Sequence, residues 1–388
     1  MPSRQVRIAA LLGTLAITAA ACGGESLEAS APVGEWSQVR DEARGQTVRW
    51  WMFGGDARVN DYVDEVVRPR AEALGVKLVR VPVDDTVSAV QRVVAEVRAG
   101  KISGGSVDLL WVNGENFSQG KRAGLWLEDW ATNLPNARFV DWTDPTISTD
   151  FGVPIAGQEA PWSRATFVFA HDRARTADPP RSYEELLEYA RNHPGRFTYP
   201  APPDFTGSAF VRQAVQALGE DDAFTLLEGL KPHLWRGGDA FPGSEAELSQ
   251  LFGNGQVDFA MSYDPAFVQS AVRKGIFSST ARPFMFDSGA LHNTSYVTIP
   301  ANAAHQAGAL VVADLLLSPE LQHIKADPDV IGLPSVLDRG RLPSRGRLGF
   351  ARFDDNRYTL VEFGRLLEEL PVSRVLEIEM RWEREVLR

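Results

Sequence analysis

Val107-Asp108-Leu109-Leu110-Trp111-Val112-Asn113-Gly114-Glu115-Asn116-Phe117 is the most informative stretch of the chain. It begins as a short apolar run with the length and composition of a buried strand. It ends in a polar, glycine-marked cluster. Open α/β sheets place their ligands at the carboxyl ends of strands, where residues of this kind collect. An earlier stretch has the same form: the strand Thr47-Val48-Arg49-Trp50-Trp51-Met52-Phe53 is closed by Gly54-Gly55-Asp56. These two strand ends are expected to form one wall of a ligand cleft.

Between them the pattern alternates. A helix is predicted from Asp56 to Leu74, kinked or shortened at Pro69 and capped by Gly75. A second strand covers 76–83. Asp84-Asp85 then starts an amphipathic helix with Val87, Val90, Val94 and Val97 on one face. Strand–helix repeats of this length imply a parallel sheet with right-handed crossovers. An order of 2-1-3 puts the topological switch point between strands one and three, where the polar strand ends lie.

The same reading extends along the chain. A strand over 165–170 ends at His171-Asp172. Ser182 and Glu185 have the spacing of a capping box. Helices are expected over 208–218, 220–229 and 245–252. A strand over 257–262 is closed by Tyr263-Asp264-Pro265. The run Leu291-His292-Asn293-Thr294-Ser295 is a dense polar segment before a strand at 296–299. Further helices are predicted over 304–317, 355–370 and 373–387.

At 388 residues the chain is long enough for two domains. Its net charge of −11 argues against nucleic acid as a partner. Residues 1–21 carry Arg4 and Arg7, an apolar core and a run of small residues, the form of a secretory signal peptide. Cys22, the one cysteine, follows directly, and the junction resembles a bacterial lipobox, with Ala19 where leucine is usual. Cys22 is therefore expected to be lipidated and to anchor the protein, with 22–46 as the lipidated end and its tether. With one cysteine, no intramolecular disulfide can form.

No esterase elbow, zinc-protease helix or phosphate loop occurs. Ser118 and Lys121 have the Ser-x-x-Lys spacing, but the companion motifs of acyl transferases are missing. The six histidines show no metal-ligand spacing. Neither a metal nor a cofactor is expected.

The signal-like start, the strand–helix repeats, and Ala309-Leu310-Val311-Val312-Ala313-Asp314-Leu315-Leu316-Leu317-Ser318-Pro319-Glu320-Leu321-Gln322 together resemble bacterial extracellular solute-binding proteins of ABC importers. Trp51-Met52-Phe53-Gly54-Gly55-Asp56, Asn60-Asp61-Tyr62, Gly104-Gly105-Ser106 and Asn113-Gly114-Glu115-Asn116-Phe117 are similar to the YnjB-type binding proteins, labelled as thiamine-type importer components. The resemblance implies an α/β, two-lobed periplasmic-binding-protein-like fold of type II. Each lobe would be a mainly parallel sheet flanked by helices, hinged by crossing strands. Lobe 1 would comprise 47–162 plus 263–328, and lobe 2 would comprise 163–262 plus 329–388. A permease and an ATPase on other chains are implied partners, and the protein is expected to be a monomer.

Candidate ligand contacts follow from the strand ends and loops. Asp56, Glu115 and Asp264 would favour a cation, thiamine-like or another organic cation. Trp51, Trp162 and Tyr263 offer ring faces. Gly55, Asn113 and Asn116 lie at the same edges. In the second lobe, Asp204, Thr206 and Gly207 open a helix whose free N–H groups suit an anionic part. Trp235, His292 and Thr294 complete the set. Two other readings stay open: an extracytoplasmic enzyme on the same fold, and a surface sensor or partner-binding lipoprotein.

Overall fold

A computed structural model describes residues 35–388 except 84, 113, 352–355 and 361–362. The expected signal peptide, Cys22 and Asn113 lie outside the described residues. The end of the expected tether is folded: α1 (Trp36–Ala43) buries Val39 and Ala43 in the first core, so the fold starts before Thr47.

β1 (Thr47–Phe53) buries Val48, Trp50 and Met52 on one face, the period-2 pattern of a strand. α2 (Ala57–Tyr62) and α3 (Arg68–Ala73) are joined by one π turn, Val63–Val67. Pro69 lies at the start of α3, and the wide turn takes up its missing N–H without ending the helix. β2 (Lys77–Val83), α4 (Val87–Arg98), β3 (Leu109–Val112) and α5 (Glu115–Arg122) follow. α4 buries Ala89, Val90 and Val93, a face rotated from the predicted valine stripe. β1 pairs in parallel with both β2 and β3, giving the order 2-1-3.

After α6 (Pro145–Ser148), β4 (Thr149–Asp150) and β5 (Val153–Pro154) form a short hairpin. Where one strand was predicted there are two: β6 (Glu159–Thr166) belongs to the first sheet and β7 (Val168–Asp172) to a second. The chain changes sheets at the buried Phe167. The second sheet is surrounded by α7 (Tyr183–Asn192), α8 (Phe205–Leu218), α9 (Glu220–Leu230) and α10 (Glu245–Gly253). Its strands are completed by β8 (Phe259–Ser262), then α11 (Phe267–Arg273) and β9 (Ala281–Phe284). Its order is β8-β7-β9 with both pairings antiparallel, which corrects the mainly parallel sheet expected there. β7 carries the chain away from the first sheet, and its two neighbours run back towards it.

β10 (Ala290–Thr298) is longer than predicted and buried along its whole length. Its polar start forms strand rather than loop because β6 pairs with it from His292 to Thr298 and partners are at hand. Thr294 Oγ1, for example, donates to Thr146 O at 2.6 Å. α12 (Gln306–Leu316), α13 (Pro319–Ala326) and α14 (Ser344–Phe350) return to the first core. The helix predicted over 355–370 is absent from the described residues; β11 (Leu366–Glu368) instead fills the edge of β10, in parallel. α15 (Val372–Trp382) packs Ile378 and Trp382 into the second core.

Two large buried clusters result. The first joins β1, β2, α12 and Ile331, Val336, Leu342 and Phe350. The second joins β7, β8, β9, α8, α9 and the C-terminal helix. Tyr263, Phe267, Phe277 and Phe284 belong to the second cluster, although 263–328 was assigned to lobe 1. Ile331 to Phe350 belong to the first, although 329–388 was assigned to lobe 2. The aromatic residues of 263–286 pack into the second core, so the chain recrosses between Phe286 and β10, and the described residues belong to the second core again by Leu367.

Candidate functional site

A cleft of about 870 Å³ runs between the two cores. The first lobe lines it with Phe53, Gly55, Asp56, Arg58 and Trp111; the second with Asp204, Phe205, Thr206, Glu245, Tyr263 and Asp264. Ser163, Arg164 and Ser295 of the crossing strands form its floor.

The end of β1 enters this cleft as predicted, but its residues have other partners. Asp56 caps α2, its Oδ1 accepting from Arg58 N at 2.9 Å. Arg58 then donates through Nη2 to Asp56 Oδ2 at 3.1 Å and to Asp264 Oδ2 at 2.6 Å. Burial opposes the charge on Arg58, but Asp264 and Asp56 outweigh it and raise its pKa. Two of the three carboxylates expected to meet a cation are thus already bridged by a guanidinium. A Cβ on Gly55 would lie 2.2 Å from the Phe53 ring, so this glycine makes room for that ring.

The end of β3 is covered instead. Gly114 N donates to Asp150 Oδ2 at 2.6 Å, and the Phe151 ring lies 3.2 Å from where a Gly114 Cβ would stand. Glu115 is exposed and Asn116 half-buried on α5, neither of them among the cleft residues. Trp111, inside the strand, reaches the cleft in their place. Trp51 alternates to the face opposite the first core, where its Nε1 donates to Ser106 O at 3.2 Å. Trp162 is 1% exposed and packs edge-on against Trp50 and Trp111, with centroids 5.8 and 4.9 Å away.

In the second lobe, Asp204 and Thr206 line the cleft and Gly207 does not. Asp204 Oδ1 accepts from Thr206 N at 3.0 Å and Gly207 N at 2.9 Å. Those N–H groups are therefore occupied, which corrects the expectation of a free anion-binding helix end. A Cβ on Gly207 would lie 1.9 Å from Pro200 O, so this glycine serves close packing. Trp235 stacks under the Arg236 guanidinium at 4.0 Å, away from the cleft. His292 and Thr294 are buried in β10, His292 Nδ1 lying 3.0 Å from Thr166 Oγ1. Burial lowers the His292 pKa to about 3, so it is neutral.

Glu245 was not anticipated. It opens α10 and accepts from Thr206 Oγ1 at 2.6 Å, with Ser262 as a second partner. Protein packs around it on most sides while it keeps some contact with the cleft. Burial, then the nearby charges of Asp264 and Asp204, raise its pKa to about 7 against the hydrogen bonds that favour its ionised form. No basic side chain pairs with it among the described residues. Phe53 and Arg58 were also missed as site residues, and Phe205, inside the candidate loop 204–208, was not singled out. The one signal for Phe205 was a large apolar residue directly after a predicted cap. Among the described residues no group of three or more His, Cys, Asp or Glu is placed to hold a metal ion, and no helix is long and apolar enough to cross a membrane.

Two hinged α/β lobes enclosing a polar–aromatic cleft define a type II solute-binding fold, the architecture of proteins that capture a small molecule by closing on it. The chain belongs to the bacterial extracellular solute-binding protein family, whose profile matches residues 65–339. It is 41% identical over 331 residues to protein YnjB of Escherichia coli (strain K12), covering 81% of this chain and 85% of that one. Its fold is similar to a periplasmic thiamin binding protein (TM-score 0.60, 18% identity, 88% of this chain and 96% of that one). It is equally similar to a Bordetella ferric binding protein (TM-score 0.60, 18% identity, 88% and 98%). The fold is thus shared by proteins whose ligands differ.

Proposed function

We propose that this protein is the solute-capturing subunit of an ABC importer and that its solute is a small organic cation of the thiamine type. The family fixes the class, and the observation that carries the ligand reading is Glu245. A carboxyl group that lines the cleft with Asp204 and Asp264, without a basic partner among the described residues, favours a positive charge beside it. Family resemblance to YnjB-type proteins points the same way. The lobes would close on the solute, contacts made only in the closed state shifting the equilibrium. A permease pair and an ATPase on other chains would receive and drive it. In this reading residues 1–21 are a cleaved signal peptide, Cys22 carries the lipid anchor, and the protein works as a monomer outside the cytoplasmic membrane without turnover.

The test is thermal unfolding of residues 23–388 with thiamine, spermidine and neutral sugars titrated in parallel. A solute at ~100 times its Kd stabilises the native state by about 2.7 kcal/mol, enough to shift the transition measurably. A saturable shift with a cation and none with sugars is expected. A shift with sugars alone overturns the cation assignment and leaves the importer role standing. Cys22→Ser is expected to release the protein from the membrane fraction; full retention would overturn the anchor.

A further inference from the structure

Six large apolar side chains are conspicuously exposed among the described residues, and only two are aromatic: Phe53 at 42% and Phe205 at 49%. Both line the same cleft, Phe53 at the end of β1 in the first lobe and Phe205 at the start of α8 in the second. An exposed phenyl ring leaves apolar surface in water, and a partner that covers it is favoured in proportion to the area covered.

Each ring has a place built for it. A Cβ at Gly55 would meet three atoms of the Phe53 ring at 2.2, 2.8 and 3.0 Å, so the ring rests in space that only glycine leaves open. Phe205 leans on Tyr263, with centroids 5.0 Å apart, and the Arg212 guanidinium lies 5.6 Å from its centroid. Arg212 is in turn fixed by Glu369, at 3.0 Å through both Nε and Nη2. Gly55 therefore leaves room for one ring and a buried scaffold backs the other, and each keeps surface open to the cleft.

We infer that Phe53 and Phe205 are the two jaws of an aromatic clamp that selects solutes carrying a flat, positively charged ring, a deepening that rests on the cleft being the solute site. A flat ring offers two faces, one for each lobe, so full contact exists only when the lobes have closed. An electron-poor ring suits the negative face of phenylalanine best. Asp204, adjacent to Phe205 in sequence, and Glu245 supply the charge beside the second jaw. An acyclic polyamine satisfies the carboxylates but has no flat face to lay against either ring, so it gains less from them. The clamp thus separates cations by shape, which the carboxylates alone cannot do.

The experiment compares two ring cations, thiamine and 1-methylnicotinamide, with spermidine as the acyclic cation, by calorimetry on the wild type and on Phe53→Ala, Phe205→Ala and Gly55→Ala. The wild type is expected to bind at least one ring cation more tightly than spermidine. Each Phe→Ala change should weaken ring binding about tenfold, the upper part of the range for a cation over an aromatic face, and leave spermidine within about twofold. Gly55→Ala keeps the phenyl group but displaces it, and should weaken ring binding as Phe53→Ala does while thermal unfolding shows an intact fold. Equal losses for ring and acyclic cations, or no loss for either, overturns the clamp and leaves the cation reading standing. Preference of the wild type for spermidine does the same. If no cation binds the wild type, the cation reading fails and the clamp for charged rings falls with it.

Discussion

Arg58 of the first lobe donates its Nη2 to Asp264 Oδ2 of the second at 2.6 Å, an ion pair that ties the lobes across the mouth of the cleft. The same guanidinium reaches Asp56 Oδ2 and, through Nη1 at 3.3 Å, the Ile331 carbonyl. It therefore both holds the lobes and cancels charge that a cationic solute would otherwise feel. Arg58→Gln removes a positive charge from the cleft wall. At a separation of ~8 Å and an effective dielectric of ~20–80, that charge opposes a bound cation by about 0.5–2 kcal/mol. Cation affinity is expected to rise by roughly twofold to thirtyfold. The fold should lose about 1 kcal/mol, the scale of a partly exposed pair with good geometry. Calorimetry and urea unfolding read the two effects separately, and weaker cation binding in the variant would contradict this account.

Glu245 makes capture depend on pH. Its folded pKa, about 7, lies above the ordinary value of 4.5, so the fold favours the protonated form. Its contribution to stability is complete below the ordinary value and is lost as pH rises towards 7. Cation binding has the opposite sign, since it needs the ionised form. Between pH 8 and pH 6 affinity should fall by up to about tenfold, because the ionised fraction of a group titrating near 7 falls by about that factor. Glu245→Gln should bind more weakly at pH 8 and show a flat profile over the same range. A profile in Glu245→Gln as steep as that of the wild type would assign the titration to another group.

The strand–helix frame was legible because its signals are local. Apolar runs such as 107–112 announce strands, and strand–helix repeats imply right-handed parallel crossovers; the order 2-1-3 was only a condition until the pairing of β1 with β2 and β3 supplied it. What failed depends on distant partners. Nothing near Gly114 in sequence shows that Asp150 and Phe151 will cover the end of β3. Arg58 reads as an ordinary helix residue until Asp264, 206 positions away, is placed beside it. The run Leu291–Ser295 looked like a loop because its polar atoms find partners only across the sheets, as His292 does with Thr166. Trp51 and Phe53 share a strand face, and only the longer reach past the sheet edge puts Phe53 in the cleft and Trp51 against Ser106.

A second pH effect belongs to the fold rather than the site. Asp150 and Glu159 are buried beneath the end of β3, and neither oxygen of Glu159 has a hydrogen-bond partner. Burial raises the Asp150 pKa to about 8 and that of Glu159 well above its usual range. For acids raised in the folded state, stability is fully present at low pH and is lost as pH climbs through the raised value. The melting temperature is expected to fall between pH 6 and pH 9. Glu159→Gln keeps the shape and removes the charge, and should stabilise the protein by about 1–3 kcal/mol above pH 8, the cost scale of a buried unpaired polar group. A melting temperature that rises over this range would show that the pair is ionised without penalty.

Arg212 and Glu369 form a buried ion pair at 3.0 Å, with side chains 2% and 3% exposed. Tyr263 donates its hydroxyl to the same carboxylate, so the pair sets one wall of the cleft from behind. Arg212→Met leaves Glu369 buried without its cation, and the loss is expected to be about 3–5 kcal/mol. Arg212→Met with Glu369→Leu removes both charges and should recover most of that stability, because replacing a buried pair by apolar groups is often neutral. Ring-cation affinity separates support from stability. The double variant should fold and still bind ring cations more weakly than wild type, since Phe205 and Tyr263 have lost the groups that hold them. A double variant with wild-type affinity would show that the pair stabilises the second lobe without shaping the cleft.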